Sequence, residues 1–571
     1  MSVYIEKLSF IAGHKIDSDP LEFSPGSITI LVGPNNSGKS QSLREIEDLC
    51  KGSKALTRLV RSVEVTHLQN QNDIETLLNP YEQKSTLKGD PLPPDNRLFS
   101  KPSLVKEIPN QIQINSTEIN EWLENHEKFK DRVVQFCIIR LDGESRFELV
   151  KPKKITSLQN LPVNHLDILF RDDEKREKLR RTTEDAFGLY FVVDRTGDNL
   201  CIRMSRKPPP SNEVERGGDN NSIEFHKNAD LIIDLGDGVQ TFVGLIAGLS
   251  CLSHTIILID EPEAFLAPSV AKRLGREIIN ITQERKASLI VATHSADFVM
   301  GCIETSNEPK IIRLTYENQK ATAREIKTDV IREFNTNPCL RSASAIRGLF
   351  HKGIVVTEGH RDRVFYDDIN HRLISHDTGK GTDDVLFIDS GGGINMIYRT
   401  IEPLRKMGVP AVAIVDLDVI TKNNNAWDNL MKACQISVVD SPNLNSLREN
   451  VLQHFEEIKG KNIPCPIKSG GIKRLSNQHT IENVEKLIND LASYGLFVVS
   501  VGALENWIPS NQTQEEWKPK LAKGSEWEEG WLDEMGQPEE NDFNVWWGLN
   551  KWSFINEVAE WIKDPNRKGM E

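Results

Sequence analysis

Two sets of residues in this chain have the types and spacing of phosphate chemistry. The first opens with Gly33-Pro34-Asn35-Asn36-Ser37-Gly38-Lys39-Ser40, a complete G-x-x-x-x-G-K-S run. In such a loop, backbone N–H groups at a helix start cradle phosphate oxygens. The lysine reaches the β and γ phosphates and the serine hydroxyl holds Mg²⁺. Gly33, Asn36, Gly38, Lys39 and Ser40 are therefore candidate nucleotide-binding residues, and Ser40 is also a metal ligand. A later apolar run ends in Asp260-Glu261-Pro262-Glu263. Asp260 is suited to support the nucleotide's Mg²⁺, and Glu261 to position or deprotonate the attacking water. The next apolar run ends in Thr293-His294-Ser295, and His294 there can sense the γ-phosphate. Upstream, Asp234-Leu235-Gly236-Asp237-Gly238-Val239-Gln240 begins an apparent helix. Its N–H groups, Gly238 included, can face a nucleotide held by another subunit.

The second set is carboxylate-rich. The strand-like run Gly353 to Thr357 ends in Glu358-Gly359, and Asp362 follows one helical turn on. Another run, Ala411 to Val415, ends in Asp416-Leu417-Asp418. Carboxylates at i and i+2 of an extended segment point the same way. Hard oxygen ligands gathered at strand ends suit Mg²⁺ or Mn²⁺. Such ions activate water and stabilise charge on a scissile phosphate.

The elements that must position these residues read as alternating strands and helices. Ile28 to Val32, the glycine loop and a helix from about Ser40 to Leu49 make a strand–loop–helix unit. Leu231 to Met300 reads as a parallel α/β block, with strands Thr255 to Ile259 and Ser288 to Ala292 around a helix from Pro268 to Glu284. A third block begins near His351, with strands at Gly353 to Thr357, Val385 to Ile388, Val409 to Val415 and Leu496 to Val501. Residues 421–495 are read as mostly helical, and 51–190 as elaboration of the first domain. Within that stretch Val133 to Leu141 and Phe147 to Leu149 look strand-like, and Asp172 to Arg181 looks like a solvated helix. Residues 207–221, with Lys207-Pro-Pro-Pro and Gly217-Gly218, are expected to form a loop.

The 571 residues suggest roughly two to four domains at ~150 residues each. With 38 % hydrophobic and 27 % charged residues, the chain can bury a core. No run of about 18 apolar residues occurs, so no transmembrane span is expected, and the first ten residues do not read as a signal peptide. The eight cysteines are scattered without a C-x-x-C pair, which speaks against a zinc knuckle or a disulfide framework and for a reducing cytoplasm. A net charge of −14 disfavours a histone-like coat for nucleic acid, but not an enzyme that carries metal to DNA. Eight of the ten tryptophans lie between Trp507 and Trp561. They are read as packing in a small subdomain or on a partner in preference to stacking on bases.

The order of P-loop, glycine helix start, I-L-I-D-E-P-E and T-H-S resembles the ABC-type ATPase heads of recombination and SMC-like proteins. The resemblance implies heads that dimerise around two nucleotides, with Gly236 to Gln240 as a signature acting in trans. The chain has G-D-G-V-Q where L-S-G-G-Q is usual, Ala267 where a histidine is usual, and no coiled-coil arm. The second half resembles the TOPRIM fold of topoisomerases, primases and OLD nucleases. That resemblance makes Glu358 the acid/base or metal-binding glutamate, and Asp416 and Asp418 metal ligands. Asp362, one helical turn after Glu358, is a further candidate ligand from its position, and the resemblance makes Ser390 to Gly393 the small-residue turn. It also makes Gly502-Ala503-Leu504-Glu505-Asn506 the late L-E-N element, with Glu505 a metal carboxylate, and a late Lys523 or Lys551 the phosphate neutraliser.

The combination resembles the OLD (overcoming lysogenization defect) family. It implies an α/β chain with an ABC-type P-loop ATPase head over 1–345, carrying an insertion at about 51–220 for dimerisation or regulation. A Rossmann-like TOPRIM nuclease domain over 346–571 follows. The implied activity is an ATP-binding and hydrolysing, Mg²⁺- or Mn²⁺-dependent DNA endonuclease in anti-phage defence, bacterial or phage-encoded and cytoplasmic. Implied partners are DNA, a homodimer or tetramer through the heads, and a helicase, a small ATPase or a retron reverse transcriptase with its DNA; no membrane is implied. A repair ATPase that binds without cutting, and an effector nuclease acting on RNA, are the alternatives.

Overall fold

The apolar runs become strands buried on both faces, as a parallel sheet covered by helices requires. The computed structural model describes residues 3–570 apart from 84–95, 105–109, 252, 307, 318–319, 337–344, 377–378, 460–469 and 508–535. The chain divides into two compact units, Met1–Thr328 and Asp329–Glu571. No described helix is long and apolar enough to cross a membrane. The six described cysteines are free, four of them buried.

In the first unit, β1 (Ile5–Phe10) precedes β2 (Ile28–Val32), whose five residues are all buried. The phosphate loop leads into α1 (Lys39–Cys50), and β3 (Val60–Val65) returns to pair antiparallel with β1. Then come β4 (Ile138–Leu141), the short α2 (Gly143–Glu148) and α3 (Asp173–Phe187). The block that carries the acidic and histidine motifs follows as α4 (Asp237–Cys251), β5 (Ile256–Asp260), α5 (Pro268–Arg285), β6 (Ser288–Ala292) and α6 (Ala296–Thr305). The hairpin β7 (Lys310–Glu317) and β8 (Lys320–Ile326) closes the unit. The main sheet runs β8-β7-β2-β6-β5-β4, parallel except for β8. β6 lies between β2 and β5, with Ala292 opposite both Leu31 and Asp260. The phosphate loop, the acidic turn and His294 thus leave one sheet edge side by side.

The stretch 51–220 differs from its sequence reading in four places. Val133 and Val134 lie in a π-helical turn, and the strand starts only at Ile138. Phe147 lies in α2, because Asp142 caps that helix by accepting the Ser145 N–H at 3.1 Å. Residues 207–221 are not simply a loop. Ser211 caps the helix Asn212–Arg216, and Asp219 caps the helix Asn220–Lys227. Nor is α3 merely solvated: its Arg176 and Arg180 are buried on Glu215, at 3.2 and 2.8 Å.

In the second unit, β9 (Gly353–Thr357), α7 (His360–Ser375), β10 (Val385–Asp389), α8 (Ile394–Lys406) and β11 (Ala411–Asp416) alternate. The helices α9 (Ser441–Lys459) and α10 (Gln478–Ser493) precede β12 (Leu496–Val499), and α11 (Lys551–Lys563) is the last described helix. The sheet is wholly parallel, in the order β10-β9-β11-β12. Its strand order reverses between β9 and β11, and in open parallel sheets the crevice beyond such strand ends is where ligands bind. Trp507, Trp552 and Trp561 are core residues, packed with Phe497 and Phe554. Arg405, fully buried, donates to the carbonyls of Ala411, Cys434, Tyr494 and Gly569 and so ties the tail to the sheet.

Candidate functional site

The first site is built on the β2–α1 turn. Gly33 has φ 149° and approaches β7 so closely that a Cβ would stand 2.0 Å from the Leu314 carbonyl. Gly38 (φ 90°) and Asn36 (φ 59°) supply the left-handed turns that curl the loop. Lys39 is 4 % exposed; its Nζ donates to the carbonyls of Gly33 and Pro34 at 2.8 Å and to Ser37 Oγ at 3.2 Å. Burial lowers its pKa to about 8, against the pull of Glu261, Asp260 and Glu263. Ser40 Oγ donates to Asp260 Oδ1 at 3.0 Å, so the two groups expected on one Mg²⁺ already meet. Burial raises the Asp260 pKa.

The acidic turn is held from several sides. Glu261 has φ 48°, its N–H donates to the Ala292 carbonyl at 2.8 Å, and its carboxylate lies 3.2 Å from His294 Nε2. Arg146 of α2 donates Nη1 to the Glu261 carbonyl. Glu263 is buried and accepts Thr293 Oγ1 at 2.7 Å and the His294 N–H at 2.8 Å. Burial raises its pKa as well. Arg146 and the bracing role of Glu263 are absent from the sequence reading. Gly238 lies near the start of α4, where a Cβ would come within 2.7 Å of the Phe265 carbonyl. Ala267, at the position where the resemblance implies a histidine, is the N-cap of α5 and is followed by Pro268.

The second site is at the β9/β11 strand ends. Glu358, Asp416 and Asp418 each offer a carboxylate oxygen, and these atoms lie within 4.8 Å of one another. Carboxylate oxygens this close are suited to share one hard divalent ion. The Asp416 N–H donates to Glu358 Oε1 at 3.1 Å, and Ser390 Oγ donates to the Glu358 carbonyl at 3.1 Å. Burial raises the Glu358 pKa, and nearby Asp418 and Asp362 add to the rise. Asp418 does not continue an extended segment. Leu417–Thr421 is a 3-10 turn, and it is this turn that brings Asp418 beside Asp416.

Asp362 is used otherwise: its carboxylate accepts the Gly359 N–H at 3.0 Å and caps α7. It stands beside the three-carboxylate cluster without joining it. Glu505 falls in the 3-10 turn Leu504–Trp507, but its side chain is outside the described residues, as is all of Lys523. The Gly502 carbonyl preceding that turn accepts the Leu417 N–H at 3.1 Å, anchoring it to the acidic loop. Lys551 interacts with Asp542 and with Arg372, which lies twelve residues down α7 from its start, about 18 Å from the carboxylate edge. A cation the sequence reading missed is nearer: Lys422 Nζ is 3.1 Å from Asp418 Oδ2.

The family described as "AAA domain, putative AbiEii toxin, Type IV TA system" matches residues 231–301, which hold the signature, acidic and histidine motifs. The Old nuclease of Escherichia phage P2 is 20 % identical over 364 residues, covering 58 % of this chain and 59 % of that protein. The chain thus spans about three fifths of the length of this curated relative. Among solved structures, an SMC head bound to the C-winged helix domain of ScpA aligns over 57 % of this chain and 98 % of its own, at 14 % identity and TM-score 0.31. The SMC head domain from Thermotoga maritima aligns over 57 % of this chain and 100 % of its own, at 15 % identity and TM-score 0.29. Motif order, the AAA-type family match and the curated relative agree in what this chain is similar to, the OLD-type ATPase-nucleases.

Proposed function

We propose that this chain is an ATP-regulated, divalent-metal-dependent DNA endonuclease of anti-phage defence, with an ABC-type head and a TOPRIM nuclease domain. The observation that carries the reading is the convergence of Glu358, Asp416 and Asp418 at the strand-order reversal of a parallel sheet. These residues would hold Mg²⁺ or Mn²⁺, which supplies an activated water and charge neutralisation at phosphorus. Glu358 accepts the proton as the water oxygen bonds to phosphorus and the bond to the leaving oxygen breaks.

In the head, Lys39 and the loop N–H groups bind the nucleotide phosphates. Ser40 and Asp260 hold its Mg²⁺, Glu261 takes the water's proton, and His294 senses the γ-phosphate. Two heads sandwich the nucleotides, each lending its Gly236–Gln240 segment to the other, and nucleotide state governs access to the cutting site.

The test incubates supercoiled plasmid, linear duplex, single-stranded DNA and RNA with Mg²⁺ or Mn²⁺, with and without ATP. Wild-type chain is expected to nick or cut DNA, E358Q to lose at least about 1,000-fold of that rate, and K39A to lose the ATP response. Cleavage surviving in a Glu358→Ala, Asp416→Ala double variant would overturn the site. ATP control unchanged in K39A would overturn the coupling.

A further inference from the structure

Lys422, four residues after Asp418, caps the 3-10 turn Leu417–Thr421, and its ammonium sits at the rim of the oxygen cluster, 3.1 Å from Asp418 Oδ2. Its backbone is firmly held. Arg448 of α9, only 6 % exposed, donates Nε to the Ile420 carbonyl at 2.9 Å and Nη1 to Asn424 Oδ1 at 3.2 Å. Its Nη2 donates to the carbonyl of Lys422 itself. The guanidinium lies over the Trp427 ring, 4.6 Å from its centroid. A buried cation thus fixes the main chain of Lys422, while the Lys422 side chain is about one third exposed.

Lys422 and a divalent ion would compete for the same Asp418 carboxylate. Two cations on one carboxylate repel strongly in a partly desolvated site. The four-carbon stem lets the ammonium move several ångströms while its Cα stays fixed. With nucleic acid bound, the anions nearest its reach are the non-bridging oxygens of the phosphate under attack. We propose that Lys422 is a catalytic residue of this site. It pairs with Asp418 before the metal ion binds and with the scissile phosphate afterwards. Negative charge grows on those oxygens as water attacks, so an ammonium beside them stabilises the transition state more than the ground state. Lys422 exchanges one ion pair for another and makes or breaks no bond itself. The proposal rests on the nuclease reading, and it moves the phosphate-neutralising lysine from the tail of the chain to the acidic loop.

The experiment compares full-length wild type, K422A, K422R and E358Q. Mn²⁺ binding is read from the free-ion electron paramagnetic resonance signal, and cleavage from plasmid nicking at saturating Mn²⁺. K422A is expected to bind Mn²⁺ about 3- to 10-fold more tightly, because its competitor is gone. It is expected to cut about 100-fold more slowly, and K422R to recover part of that loss. Wild-type cleavage by K422A overturns the proposal. So does a joint loss of Mn²⁺ binding and cleavage in K422A, the mark of a merely structural ion pair. Cleavage lost in E358Q but kept in K422A overturns the Lys422 role alone. Cleavage kept in E358Q overturns the nuclease site and the proposal with it.

Discussion

Glu261 is held in a left-handed backbone conformation that glutamate rarely adopts, at a cost of order 1–3 kcal/mol. Surrounding contacts offset that cost: the bond to Ala292, the Arg146 guanidinium on its carbonyl, and His294 on its carboxylate. Arg146 is buried, and burial lowers its pKa although three carboxylates of the turn pull the other way. A cation kept there against desolvation positions the turn. R146A should therefore lower kcat for ATP hydrolysis by about 10- to 100-fold while the ATP Kd moves by less than about 3-fold. R146K should fall between. Equal losses in binding and turnover would assign Arg146 to folding instead. Glu263 acts one step further back, through two accepted hydrogen bonds that an amide oxygen can also accept. E263Q should hydrolyse ATP within about 3-fold of wild type and E263A at least about 10-fold more slowly, whereas E261Q should bind ATP without turning it over. An E263Q variant as slow as E261Q would show that Glu263 needs its charge.

At the scale of elements, the legible parts were those where chemistry follows directly on an apolar run. Ile28–Val32, Ser288–Ala292 and Gly353–Thr357 agree with the sequence reading residue for residue, because a strand buried on both faces has no polar position to blur it. The stretch 51–220 was not legible. Its small antiparallel sheets are half-buried, and its helices at 212–227 are set by the caps Ser211 and Asp219 inside a proline- and glycine-rich run. Arg146, Lys422 and Arg448 escaped because their partners depend on turns and on long-range packing that no local pattern announces. The same inserted stretch carries an acid-sensitive element. His165 starts a helix, donates Nε2–H to the Leu149 carbonyl at 2.7 Å and leaves Nδ1, the acceptor nitrogen of the neutral ring, buried without a donor. Burial lowers its pKa to about 4, and burial beside Lys101 holds His254 well below the ordinary histidine range. Both rings are neutral in the folded chain, so the unfolded chain binds more protons below about pH 6.5. The stability they contribute is complete above that pH and is lost as pH falls towards 4, by roughly 2 to 3 kcal/mol for His165. Urea midpoints at pH 7 and pH 5 should diverge more for wild type than for H165N. Parallel pH dependence in the two would rule the element out.

At the scale of the whole molecule, each unit gathers its chemistry at the C-terminal edge of parallel strands, where free loop N–H groups and carboxylates meet without breaking the sheet. For the head, that edge is incomplete in one copy if the Gly236–Gln240 segment serves a nucleotide held elsewhere. The surface around that segment supports a self-association face. Ile233 is 45 % exposed and Phe265 61 % exposed, both unusual for large apolar side chains. Phe265 lies over Phe147, with ring centroids 5.9 Å apart, and its carbonyl presses on Gly238. Phe265 and the glycine helix start are therefore packed against each other. In a two-fold dimer every such contact occurs twice, and each buried phenylalanine contributes about 1.5–3 kcal/mol. With hydrolysis blocked by E261Q, ATP should convert the chain from its nucleotide-free assembly to a larger one, seen by light scattering coupled to gel filtration. Adding F265D should abolish that shift and leave the ATP Kd within about 3-fold, because the Phe265 side chain is 61 % exposed, while Lys39 and Ser40 are held by Gly33, Pro34, Ser37 and Asp260. An E261Q, F265D variant that still enlarges with ATP would mean that the heads meet through some other face, and the in-trans role of Gly238 would fall with it.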